Sequence, residues 1–152
     1  MKIVASAETY VDPSALVKLY LHEAESRSMA AWRAKARSAV AVTLFGRLEV
    51  VNAIGLALAR KFIPRQVHKA ALAALDDDFA QGRLVFADVP WREALRLAGE
   101  MSRRHTPTLA CRTLDILHVA SALALEQKHF LTFDNRQRRL ARAVGLKVVA
   151  LT

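Results

Sequence analysis

The chain is short of the residues that mark secreted, repetitive or membrane proteins. Its single cysteine, Cys111, can form no intrachain disulfide and offers no metal-binding Cys pair, which predicts a reducing, cytoplasmic setting. Only 5 glycines and 4 prolines are present, with no low-complexity stretch or repeat, so no linker divides the chain. Residues 1–152 are expected to form one domain around one core. Charges interrupt every apolar run well before the ~20 residues a membrane span requires. The first twelve residues, with Lys2 and Glu8 around a short apolar patch, do not read as a secretory signal. Absence of GxxxxGK[ST] and GxGxxG motifs removes P-loop nucleotide hydrolysis and dinucleotide redox chemistry. Acids are scarce too: 14 stand against 23 lysines and arginines, giving a net charge of +9. Such a balance favours a polyanion or an acidic protein as partner. The positive charge is clustered at Arg33, Lys35 and Arg37, at Arg103, Arg104 and Arg112, and at Arg136, Arg138, Arg139 and Arg142.

What the chain does contain is a regular alternation of short apolar runs and helical stretches. Strands are predicted at Thr9 to Asp12, Ala39 to Thr43, Leu84 to Ala87, Phe130 to Phe133 and Leu146 to Leu151. Helices are predicted at Pro13 to Tyr20, Ala24 to Lys35, after the second strand through about Arg60, Pro64 to Gln81, Pro90 to Arg104, Thr113 to Glu126 and Asn135 to Val144. The stretch His105 to Arg112 reads as a loop. Short apolar strands separated by helices predict an α/β fold, with a parallel sheet covered on both faces.

Against this frame four of the few acids take on meaning. Asp12 ends the first strand immediately before Pro13, and ligands of open α/β sheets bind at that carboxyl end. Asp134 sits between a strand and a helix, Asp115 in the first turn of a helix, and Glu49 on a helix that is apolar almost all round. Singly, Asp12 and Asp134 read as helix caps and Asp115 as a complement to the helix dipole. Glu49 is expected to be largely buried, where an ionised carboxylate must pair with an arginine, neutralise or bind metal. Together the four predict a carboxylate cluster that needs a cation, and hard oxygen ligands select Mg²⁺ or Mn²⁺. A divalent ion there can activate water and stabilise charge on a phosphoryl oxygen. Basic charge beside such a site suits nucleic-acid cleavage.

The segments YVDPSALVKLYLHEAES, LEVVNA and RTLDILHVASALALEQKHFLTFDNRQRRLARAVGLKVV resemble the PIN domain, most closely the VapC-type toxins of bacterial toxin–antitoxin pairs. The resemblance implies a PIN-like five-stranded parallel sheet of order 3-2-1-4-5 flanked by helices, with Asp12 and Asp134 at neighbouring strand ends. It assigns the family's acids to Asp12, Glu49, Asp115 and Asp134, and gives Ser14 a supporting role in holding Asp12 or a metal-bound water. It further implies a metal-dependent endoribonuclease, using Mg²⁺ or Mn²⁺, with Arg112 or Arg136 on the RNA backbone. A small VapB-like antitoxin and a homodimeric toxin follow from the same likeness. Asn135 and Arg136 stand where some relatives carry a further acid, which bears on a second metal ion.

Two other readings stand beside it. A haloacid-dehalogenase-type phosphatase also places an Asp after its first strand, but wants a second acid at position 14, which is serine here. A catalytically silent PIN-like or receiver-like module would bind metal or a partner's arginine without turnover. Asp76, Asp77 and Asp78 are consecutive, so on a helix they diverge by about 100° each and read as a solvated face. His118, three residues after Asp115 on the same helical face, reads as a hydrogen-bonding or packing residue. Cys111 lacks an evident base, and Trp32 and Trp91 read as core or interface residues.

Overall fold

The computed structural model describes residues 8–36 and 38–151. Lys2 and Arg37 lie outside the described residues. The elements run β1 (Thr9–Val11), α1 (Pro13–Leu16, continued by a 3₁₀ turn over Val17–Leu19), α2 (Ser26–Lys35), β2 (Val40–Val42) and α3 (Leu44–Ala59). They continue with α4 (Arg65–Ala80), β3 (Leu84–Phe86), α5 (Trp91–Leu109), α6 (Thr113–Ala124), β4 (His129–Leu131), α7 (Asn135–Ala143) and β5 (Lys147–Val148). Every strand pairing is parallel, as expected for apolar strands linked by helices.

The expected five-stranded sheet is not continuous. Ladder hydrogen bonds join β1, β4 and β5 in one sheet and β2 and β3 in another. β2 packs beside β1, yet no ladder crosses that seam among the described residues. Strands of three residues carry only a few ladder bonds each, so side-chain packing can hold a seam that backbone pairing does not. Here Val11, Val40 and Val42 share one core with Leu16, Val50, Ile54 and Leu75. A second core gathers Tyr10, Phe130, Ile116, Val119, Leu140 and Leu146 between the β1–β4–β5 sheet and helices α5 to α7.

The predicted loop over His105 to Arg112 shrinks to residues 110–112, because α5 runs on through Leu109 with Pro107 inside it. Proline removes one N–H and crowds the carbonyl four residues back, a penalty confined here to the last turn. Ala94 and Met101 anchor the buried face of α5, which packs along α6 and offsets that local loss. The helix stops where Ala110 takes φ 52°, its N–H still reaching the Thr106 carbonyl at 2.9 Å. Other ends shift by a residue or a few. α2 begins at Ser26, and β5 keeps only Lys147–Val148 of the predicted Leu146 to Leu151. The glycine expected to stop α4 does so, with Gly82 at φ 73°, a conformation that a side chain would strain.

Candidate active site

The β1–β4 register aligns Val11 with Leu131 and so brings the residues just beyond both strands together. Asp12 continues the ladder by donating its N–H to the Leu131 carbonyl at 2.9 Å. Its side chain is almost wholly enclosed, at 2% exposure. Oδ2 accepts from the Ser14 N–H at 3.2 Å, from the Ser14 hydroxyl, and from the Thr132 hydroxyl at 3.2 Å. Burial pushes the Asp12 carboxyl above its ordinary pKa, while His118, Ser14, Gln137 and Thr132 pull it back. Thr132 also accepts the Asp134 N–H at 3.0 Å, so one hydroxyl ties two acids together. Asp134 caps α7, its Oδ1 accepting from the Arg136 and Gln137 N–H groups at 2.8 and 3.0 Å. Asp115, buried in the first turn of α6, accepts the Arg112 N–H at 3.0 Å and the Gln137 side-chain amide at 3.1 Å.

Glu49 arrives from the other half of the molecule, on the helix that follows β2. Its side chain keeps 27% exposure, more open than Asp12 and Asp115. The helix is apolar all round, but Leu44, Leu48 and Leu56 are exposed, so the chain leaves that side of α3 uncovered. Glu49 Oε2 lies 2.7 Å from His118 Nε2, and His118 Nδ1 lies 2.7 Å from the Tyr10 hydroxyl. A carboxylate at that distance calls for a proton on Nε2, which leaves Nδ1 to accept from Tyr10. Burial raises the Tyr10 pKa and keeps its hydroxyl a neutral donor. Phe45 packs against the His118 ring with centroids 4.6 Å apart. His118 is thus a hydrogen-bonding residue, aimed at the acids from inside the core.

All four acids line one open cleft of about 520 Å³, together with Ser14, Arg112, His118 and Gln137. Arg112 forms part of its wall, whereas Arg136 contributes a backbone N–H to Asp134 and is not part of the lining. Among the described residues, no three Asp, Glu, His or Cys side chains converge tightly enough to grip an ion. Protein donors account for this spacing: Asp134 is occupied by its helix cap, Glu49 by His118, and Asp115 by Arg112 and Gln137. The donor set is all hard oxygen, and the buried Gln137 Oε1 has no hydrogen-bond partner beside it. Four carboxylates and an orphaned amide oxygen suit a hard divalent cation.

The PIN domain family model matches residues 9–143, from the first strand to the last helix. The chain belongs to the PIN domain family. Ribonuclease VapC46 of Mycobacterium tuberculosis (strain ATCC 25618 / H37Rv) is 32% identical over 146 residues, covering 95% of this chain and 98% of the relative. The resemblance drawn from the three sequence segments therefore holds, and nucleases built on PIN domains are in general dependent on divalent metal.

Elsewhere in this PIN domain the discarded candidates stay discarded. Asp76 pairs with Arg47, while Asp77 and Asp78 share Arg83, so each aspartate is already held by a guanidinium. Burial, reinforced by the charges of Asp115 and Asp134, raises the Cys111 thiol pKa and makes a nucleophilic thiolate unfavourable. Trp32 packs on the core edge, and Trp91 is 40% exposed with its ring 5.5 Å from Phe45. Sequence reasoning missed Thr132 and Gln137. Thr132 lies two positions before Asp134 at a strand end, a signal that the β1–β4 pairing would have made readable. Gln137 carried no such signal.

Proposed function

We propose that this PIN domain is a VapC-like endoribonuclease toxin that hydrolyses RNA phosphodiester bonds with Mg²⁺ or Mn²⁺. The observation that carries the reading is the meeting of Asp12, Glu49, Asp115 and Asp134 around one cleft in a strongly basic chain. These four residues would hold the ion, which supplies, when bound, an activated water and a counter-charge for the phosphoryl oxygen. Ser14 and Thr132 fix the Asp12 carboxylate, and His118 fixes Glu49. Arg112, at the cleft wall, pairs with the RNA backbone, with Arg136 beyond the rim of the cleft as a second contact. Similarity to a protein named ribonuclease VapC46 supports the substrate class.

The toxin reading brings a VapB-like antitoxin, a homodimer and a cytoplasmic location with it. Among the described residues no helix is long and apolar enough to cross a membrane. Leu44, Leu48, Trp91 and Leu95 are exposed, and the Phe45–Trp91 contact links their two helices. Such apolar surface suits protein partners. The test is cleavage of RNA by the purified chain with Mn²⁺ and with excess chelator, alongside Asp115→Asn. Metal-dependent cleavage lost in the variant supports the reading, and cleavage that persists in chelator overturns it. Co-purification with the product of the neighbouring small reading frame, and recovery of cleavage once that partner is stripped away, tests the antitoxin.

A further inference from the structure

Gln137 binds two acids of the cluster, one through its backbone and one through its side chain. Its backbone N–H donates to Asp134 Oδ1 at 3.0 Å and its side-chain amide to Asp115 Oδ1 at 3.1 Å. It is 5% exposed and lines the cleft from the first turn of α7. The amide orientation is fixed by chemistry, because turning the oxygen toward Asp115 would set two acceptors face to face. That leaves Oε1 buried without a hydrogen-bond partner, a costly state for a polar atom unless water or an ion completes it.

We infer that Gln137 is a positioning residue of the metal site: its backbone N–H and side-chain amide hold Asp134 and Asp115 in place while no cation lies between the acids, and its Oε1 accepts a hydrogen bond from a water carried by the bound ion. The inference rests on the metal-dependent reading above and adds to it a residue outside the acidic quartet. Mg²⁺ and Mn²⁺ retain several waters when held by a few carboxylates, so an unpartnered acceptor on a cleft-lining residue has a partner to receive. Groups of this kind orient ligands without touching the metal, and their loss typically weakens metal affinity by about 10- to 100-fold.

The experiment is a Mn²⁺ titration of the intact chain, read by thermal melting and by Mn²⁺ electron paramagnetic resonance, for wild type, Gln137→Met and Gln137→Glu. Gln137→Met keeps the side-chain length and removes both functions, so its half-saturating Mn²⁺ concentration should rise by about tenfold or more. Gln137→Glu removes the donor and adds a like charge, so its metal-free melting temperature should fall and its rise with Mn²⁺ should exceed that of wild type. An unchanged half-saturation point in Gln137→Met overturns the inference while leaving the metal reading intact. If that variant does not fold, Gln137→Glu decides, and a melting response identical to wild type in both conditions overturns it equally. A wild-type protein that binds no Mn²⁺ overturns both the metal reading and this one.

Discussion

Replacing Asp12 by asparagine separates its structural task from its chemical one. Asn is about as good a helix cap as Asp, and an amide oxygen can take over the acceptor role toward Ser14 and Thr132. The variant also removes the charge whose burial raises the Asp12 carboxyl pKa, so the metal-free protein should keep its stability within about 1 kcal/mol. The response to metal should differ sharply. An ion present at a hundredfold excess over its Kd stabilises the folded state by about 2.7 kcal/mol. For a chain of 152 residues, with about 2–4 °C per kcal/mol, that is a rise of about 5–11 °C in wild type. Asp12→Asn should show little or none of this rise and should lose RNA cleavage. Differential scanning calorimetry with Mn²⁺ and with chelator gives the first quantity, and a gel assay the second. A well-folded Asp12→Asn protein that still melts higher with Mn²⁺ and still cleaves RNA would refute the reasoning.

Three further outcomes are expected. Burial alone would raise the Asp78 pKa, but the Tyr20 hydroxyl and Arg83, each at 2.5 Å, outweigh it and lower it. Asp78→Asn should cost about 1–2 kcal/mol near pH 7, allowing for solvent screening. A lowered carboxyl pKa stabilises above the unfolded value and loses its effect as pH falls through the folded one, so urea titrations should show the gap closing below about pH 4. Gly46→Ala would ordinarily favour a helix, but its Cβ would sit 2.8 Å from the Thr43 hydroxyl that caps α3, so denaturant titration should show a loss of about 1 kcal/mol rather than a gain. Leu75→Ala, at a fully enclosed position, should cost about 2–5 kcal/mol in the same titration.

The acids were legible because their positions follow from chain geometry that sequence carries. Asp12 and Asp134 stand where an apolar run gives way to a helix, and parallel pairing of those runs makes them neighbours. Glu49 was placed on the right helix and read as largely buried; its 27% exposure reflects the uncovered side of α3, since periodicity reports which face is apolar and not whether anything covers it. His118 was read as a hydrogen-bonding residue, but its partners, Tyr10 at one ring nitrogen and Glu49 at the other, come from two distant segments. Gln137 is a neutral residue in a run of arginines, and only the docking of α7 against α6 turns it inward. The break between β1 and β2 and the extension of α5 past Pro107 were invisible for a related reason. Both are decided by packing between elements, where local preference is weak or opposed.

The seam between the two sheets divides the acidic quartet unequally. Asp12, Asp115 and Asp134 ride on the β1–β4–β5 half, tied to one another through Thr132 and Gln137, while Glu49 alone is delivered from beyond the seam and fastened by one imidazole. The seam carries no ladder bonds among the described residues, whereas β1, β4 and β5 are joined by them. Amide exchange should therefore divide the molecule into two protection blocks that meet at this line. The Glu49 amide should then exchange with the β2 side of that line and those of Asp12, Asp115 and Asp134 with the other, so the site is assembled from two separately protected parts.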